Sequence, residues 1–178
     1  REAGLPVDGW TLRFVGKLSV QKRPEVFLHA AAFISNGTER PSNSLIFGRN
    51  RENLQPRLAA LARELGKYDS VHFMDFRDPI LPWLAASNLL LAPEVEDAFG
   101  RTSVEAMLVG APVVASKSRG HPDIIQSEMT GLLAPPDDAS EMATMALSLS
   151  AEPDRYRDIV LRAINHVTDR NAVRTHGD

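Results

Sequence analysis

The chain has 178 residues, a formal net charge of -3, 43% hydrophobic and 24% charged residues, and no cysteine. That size suits one domain with a buried core and excludes a disordered tail. The mild acidity and the lack of a Lys/Arg run argue against nucleic acid, and the missing thiols exclude disulfides, thiolate metal sites and a cysteine nucleophile.

Apolar runs of strand length alternate with segments of helical period. Thr11 to Gly16 reads as a strand, and Pro24 to Ser35 as a helix with proline in its first turn. Asn36-Gly37 breaks the chain before a second strand, Ser44 to Gly48. Arg51 to Leu65 is expected as a helix, with Leu54, Leu58, Leu61 and Leu65 on one side and Gly66 after its end. Val71 to Met74 reads as a strand, Ile80 to Ala86 as a short helix and Leu89 to Ala92 as a strand. Arg101 to Val109 follows as a helix, Pro112 to Ser116 as a strand and Pro122 to Ser127 as a short helix. A strand near Gly131 to Ala134 precedes two helices, Asp138 to Ser150 and Asp154 to His166.

The strands are continuously apolar rather than alternating, so both of their faces are covered, as in a parallel sheet flanked by helices. The expected fold is an open, doubly wound α/β domain of about six strands with helices on both faces. Ligands of such sheets bind at the carboxyl ends of the strands, near a switch in strand order, so the residues after each strand are the ones to inspect.

After the first strand, Gly16 lets a ligand approach the backbone, and Lys17 and Lys22 can reach one anion; two solvated surface lysines would give the same pattern. After the fourth strand, Glu94, Glu96 and Asp97 crowd a loop that ends in Phe99-Gly100 and leads into a helix through Arg101, Thr102 and Glu105. A helix N-terminus with a glycine before it accommodates a diphosphate, and ionised carboxylates accept hydrogen bonds from vicinal diols. Capping by Asp97, with Glu105 on a solvated face, is the competing explanation. No G-x-G-x-x-G, P-loop, H-E-x-x-H or G-x-S-x-G pattern occurs. The five histidines lack metal-ligand spacing; His29 reads as structural, and His121 lies in a loop where a ligand can be touched.

Asp97 to Ser116, DAFGRTSVEAMLVGAPVVAS, resembles the core motif of the retaining GT-B glycosyltransferases known as group 1, which include sucrose synthases and bacterial mannosyltransferases. Their motif is an acid, seven residues, then Glu; Asp97 and Glu105 take those positions. Asp for the usual Glu shortens the reach and leaves Asp97 and Glu96 both as candidates. Phe14-Val15-Gly16-Lys17-Leu18 with Lys22 resembles the phosphate-binding G-R-L-x-x-x-K-G stretch, with Lys17 for Arg and Arg23 where glycine is common. Leu45 to Gly48 fits the second unit. Val71 to Phe76 resembles V-x-F-x-G-x, with Asp75 where glycine is usual. Arg119 to Ile125 resembles G-G-x-x-E-I-I with two substitutions, and Thr130 to Leu133 resembles T-G-L-L.

The resemblance spans about Thr11 to Leu147 and implies a Rossmann-like half of a GT-B fold. Residues 1–178 would form a single C-terminal nucleotide-sugar-binding domain, with the N-terminal acceptor domain absent and the isolated chain inactive. Lys17 and Lys22 would hold the diphosphate, with Asp97 on the transferred sugar; these three are the expected catalytic residues. Gly16, Phe76, Glu96, Phe99, Gly100, Arg101, Thr102 and Glu105 are the expected donor-binding residues. The implied reaction moves a sugar from a UDP-, GDP- or ADP-sugar to the hydroxyl of an acceptor sugar, lipid or small molecule, with retention and with no metal or other cofactor. A sugar-nucleotide epimerase-type relative and a non-catalytic binding domain on the same scaffold are the rival expectations. No apolar run approaches the roughly 20 residues of a membrane span, and Arg1 to Asp8 lacks the apolar stretch of a signal peptide. Both ends read as cuts in a longer protein. A cytoplasmic location is expected, with the inner membrane surface as the alternative for the full-length protein.

Overall fold

The structure, a computed structural model, describes residues 9–96 and 99–175, with side chains described through residue 170. Asp97, assigned above to the transferred sugar, lies outside the described residues. Six strands form one sheet: β1 (Trp10–Val15), β2 (Ser42–Phe47), β3 (Val71–Phe73), β4 (Leu89–Ala92), β5 (Val113–Ser116) and β6 (Leu132–Ala134). All neighbours pair parallel, in the order β3-β2-β1-β4-β5-β6. The chain therefore builds outward from β1 in one direction, returns, and builds outward in the other. The switch lies between β1 and β4, where Leu12 pairs with Leu89.

The helices are α1 (Pro24–Asn36), α2 (Gln55–Glu64), α3 (Leu81–Ala85), α4 (Arg101–Leu108), α5 (His121–Ile124), α6 (Ala139–Ala151) and α7 (Pro153–Thr175). Helix α5 ends at Ile124, before the expected Ser127, because Ile125 is extended, and two further expectations need correction. Helix α2 begins at Gln55, not Arg51, because Asn53 adopts a left-handed φ of 50° and the Asn50 side chain accepts from the Gln55 N–H at 3.1 Å. Helix α7 runs on to Thr175, beyond the expected end at His166. No Gly or Pro stops it there, so the fading of the apolar period does not mark its end.

Strand residues alternate between two cores. Leu12 and Phe14 of β1, Leu89 and Leu91 of β4 and Val114 of β5 pack with α1, α2 and α6. Leu90, Ala92, Val113 and Ala115 pack with α3, α4 and α7 on the other face. Burial of both faces explains why these strands read as unbroken apolar runs. Helix α7 joins the two layers, since Ile159 packs in the first core and Ala163 and Val167 in the second.

Arg13 breaks the apolar pattern. It sits in the middle of β1 between Leu45 and Leu90 and is 3% exposed. Its guanidinium lies 6.0 Å from the Phe47 ring centroid, while Nε and Nη1 have no hydrogen-bond partner. Burial pushes its pKa down to about 10. The folded chain thus binds this proton less tightly than the unfolded chain. The cost is carried in full below pH 10 and is relieved as the pH climbs above that value. Arg13→Met is expected to raise stability at pH 7 by about 1–3 kcal/mol, the cost of an unsatisfied buried polar group. In urea melts the advantage should shrink above pH 10; an unchanged or lower midpoint at pH 7 would show that the guanidinium stabilises the fold.

Candidate functional site

The site starts from two glycines. Gly48 closes β2 at a φ of 154°, and a Cβ there would fall 1.8 Å from the Gly16 carbonyl oxygen. This close approach lets Gly16 N–H donate to the Phe47 carbonyl at 2.9 Å and Leu18 N–H to Arg49 at 3.0 Å. Gly48 N–H in turn donates to the Asp75 carbonyl at 3.2 Å, so the chain leaving β1, β2 and β3 is stitched into one rim.

Against this rim, between the carboxyl ends of β1 and β2 and the start of α4, lies a cavity of about 690 Å³. It brings together Gly16, Lys17, Lys22, Phe76, Arg101, Thr102 and Glu105 from the sequence-derived set. Six cationic side chains line it (Lys17, Lys22, Arg49, Arg51, Arg77 and Arg101) against two carboxylates, Asp78 and Glu105. A chain of net charge -3 thus concentrates positive charge in its crevice, where low-dielectric walls focus the field on an anion. Arg49 lies over the Phe76 ring at 4.7 Å, giving the lip a flat, cation-backed aromatic surface. Glu96 and Phe99 do not line the cavity; both are exposed, Phe99 by 72%. Gly100 is buried beside it and turns into α4 with φ 52°. Among the described residues no group of three or more His, Asp or Glu side chains could hold a metal ion.

Sequence reasoning missed Arg49, Arg51 and Arg77. Each follows the end of β2 or β3 within a few residues, so the rule that ligands meet the chain after each strand would have flagged them. In the sequence Glu94 is one acid among several in a crowded loop. It is 3% exposed, and its Oε1 lies 3.7 Å from Lys22 Nζ and 3.6 Å from His121 Nε2. His121 is 1% exposed. Its Nδ1 lies 3.0 Å from the Ser116 carbonyl, which can only accept, so Nδ1 carries a proton. A Cβ on Gly100 would come 3.1 Å from the imidazole Cδ2, which places His121 directly beneath the turn into α4.

Three departures from the glycine pattern share one backbone property. Arg23, Asp75 and Arg119 have φ of 53°, 45° and 39°, the left-handed region that glycine enters without penalty. Arg23 is held there by Asp137 Oδ1, 2.7 Å from Nε, and by the Val20 carbonyl, 2.8 Å from Nη1. These side chains keep a glycine-type backbone at some conformational cost.

The strand order and the cation-lined crevice define the class: a Rossmann-type α/β domain with a positively charged cleft. The Glycosyl transferases group 1 family matches residues 10–152, and the chain belongs to that family. It is 32% identical over 171 residues to D-inositol 3-phosphate glycosyltransferase 2 of Catenulispora acidiphila, covering 92% of this chain and 40% of the relative. It is 31% identical to the D-inositol 3-phosphate glycosyltransferase of Acidothermus cellulolyticus, covering 100% of this chain and 40% of that one. The chain therefore spans about 40% of the length of these relatives. Among solved structures, HepE of Anabaena in complex with UDP and glucose superposes with a TM-score of 0.85 at 24% identity, over 92% of this chain and 44% of that chain. Sucrose-phosphate synthase of Thermosynechococcus elongatus gives 0.84 at 26%, over 94% and 43%. The C-terminal domain of the group 1 family protein LpcC from Francisella tularensis gives 0.83 at 20%, over 93% and 88%. The fold matches one Rossmann-like half of a GT-B glycosyltransferase.

Asp75 is exposed, and what it gives the rim is its carbonyl, the acceptor for Gly48 N–H. Asp75→Gly should therefore keep the rim and remove the left-handed strain, worth about 1–2 kcal/mol, less the entropy a glycine gains in the unfolded chain. A net gain of about 0.5–1 kcal/mol in urea denaturation is expected. A loss would mean that the Asp75 side chain holds the turn.

Proposed function

We propose that this chain is the donor-binding half of a glycosyltransferase that takes a nucleoside-diphosphate sugar. With an N-terminal acceptor domain, the whole protein passes the sugar to a hydroxyl with retention at the anomeric carbon. The observation that carries this reading is the charge arrangement between the carboxyl ends of β1 and β2 and the start of α4. Six cations line the crevice, and Glu105 stands among them one turn into α4. A diphosphate needs the cations, and a ribose diol needs the carboxylate. The description of the HepE structures as complexes with UDP and with UDP-glucose supports the same ligand class.

In this reading Lys17, Lys22 and the amides at the start of α4 take the charge that builds on the departing diphosphate. They fill the place of a metal ion. Phe76 and Arg49 border the base, Glu105 accepts from the ribose hydroxyls, and Asp97 or Glu96 meets the transferred sugar. The oxocarbenium-like centre forms as the diphosphate leaves, and no covalent nucleophile is assigned.

The test is calorimetric titration with UDP, GDP, ADP and the matching nucleosides. Glu105→Ala is expected to weaken the diphosphate and its nucleoside alike, by about 1.5–3 kcal/mol, the worth of a hydrogen bond to a charged group. Lys22→Ala should weaken the diphosphate and leave the nucleoside nearly unchanged. Unaltered affinity in a folded Glu105→Ala variant would remove Glu105 from the donor site, and equal loss for both ligands in Lys22→Ala would make Lys22 structural.

A further inference from the structure

We propose that Glu94 is a positioning residue, which holds the ammonium of Lys22 at the crevice before any ligand arrives. This role rests on reading the crevice as the donor-diphosphate site. Lys22 ends the single 3-10 turn Val20–Lys22, and its stem crosses Gly16, where a Cβ would lie 3.4 Å from Lys22 Cδ. Its backbone is fixed from both sides: Lys22 N–H donates to the Ser19 carbonyl at 3.1 Å, and the neighbouring Gln21 carbonyl accepts from Val95 N–H at 3.4 Å. That second bond ties the loop after β1 to the loop after β4. The side chains repeat the tie, because Lys22 Nζ lies 3.7 Å from Glu94 Oε1.

Glu94 is itself held. Ser118 Oγ donates to its backbone carbonyl at 3.2 Å, and Ser116 Oγ donates to the Pro93 carbonyl at 2.8 Å. His121 Nε2 faces the same carboxylate oxygen at 3.6 Å and has no hydrogen-bond partner within bonding distance. Burying a carboxylate to 3% exposure is costly unless polar groups face it, and the two that meet it, Lys22 and His121, come from opposite halves of the sheet. Lys22 follows β1, and His121 follows β5 beneath the Gly100 turn. The buried acid thus connects the lysine to the N-terminal turn of α4, the two parts of the proposed anion site. A free lysine side chain loses rotamer freedom when it grips an anion. Holding it beforehand lowers that cost, which is how preorganisation raises affinity.

The experiment uses Glu94→Gln, which keeps the shape and removes the charge, and Glu94→Asp, which keeps the charge on a shorter stem. UDP binding by the Gln variant is expected to fall on the order of tenfold, with uridine binding unchanged and partial recovery in the Asp variant. Equal or tighter UDP binding by Glu94→Gln would overturn the role, because the carboxylate would then act only by repelling the diphosphate. Equal losses for UDP and uridine would also overturn it, by making Glu94 a packing residue. One measurement depends neither on the variants folding nor on a ligand. In the free wild-type chain, NMR relaxation of the Lys22 side-chain nitrogen should show tighter restriction than that of exposed Lys17; equal mobility would refute the positioning role. A wild-type chain that binds no nucleoside diphosphate would defeat the donor reading, while the relaxation comparison would still decide whether Glu94 holds Lys22.

Discussion

The site depends on the close approach of two stretches of backbone. Gly48 passes the Gly16 carbonyl at a distance that any side chain would close, since a Cβ would lie 1.8 Å from that oxygen. The contact draws the chain leaving β1 onto the chain leaving β2, and the Gly48 amide then reaches the chain leaving β3. Without it, Lys17, Arg49 and Phe76 would sit on three independent loops. With it they line one wall, opposite the α4 residues Arg101, Thr102 and Glu105. The sheet supplies the rest of the constraint. Building outward from β1 in both directions sends α1, after β1, and α4, after β4, to opposite faces of the sheet, and a crevice opens where the two connections part.

The layers of this fold were legible in the chain because burial on both faces leaves a strong mark. Leu89 to Ala92 is apolar at every position and Val113 to Ser116 at every position but the last, and both are buried throughout. What the pattern missed follows from other physics. The start of α2 was set by the Asn50 side chain and the left-handed Asn53, which carry no apolar period. Arg13 is invisible to a pattern of hydrophobicity, because a charged residue inside a strand reads as a solvent position unless its neighbours are known. At the site, Lys17, Lys22 and Glu105 were found because motif spacing and position after a strand agreed. Arg49, Arg51 and Arg77 have only the position after a strand to mark them, with no motif spacing beside it. Glu94 was hidden in plain composition; only its burial, 3% exposed, separates it from its neighbour Glu96, which is exposed.

The substitutions at glycine positions bear on how such a site tolerates change. At Arg23, Asp75 and Arg119 the backbone keeps left-handed angles although the side chain disfavours them. Surrounding structure therefore sets these angles. For Arg23 the reason is local. The residue joins the turn that carries Lys22 to the first residue of α1, so its φ sets the angle between that turn and the helix. Its own guanidinium offsets part of the strain by bonding Asp137 and the Val20 carbonyl. The backbone path to Lys22 is thus held more strongly than the identity of the residue that makes it. The same holds at Asp75, whose carbonyl must meet Gly48. Position 48 differs in kind, because there a side chain would strike the main chain itself and no rearrangement of partners can make room. The constraint that creates the crevice admits only glycine, while the constraints that orient its lysine can be met by an arginine with an acid beside it.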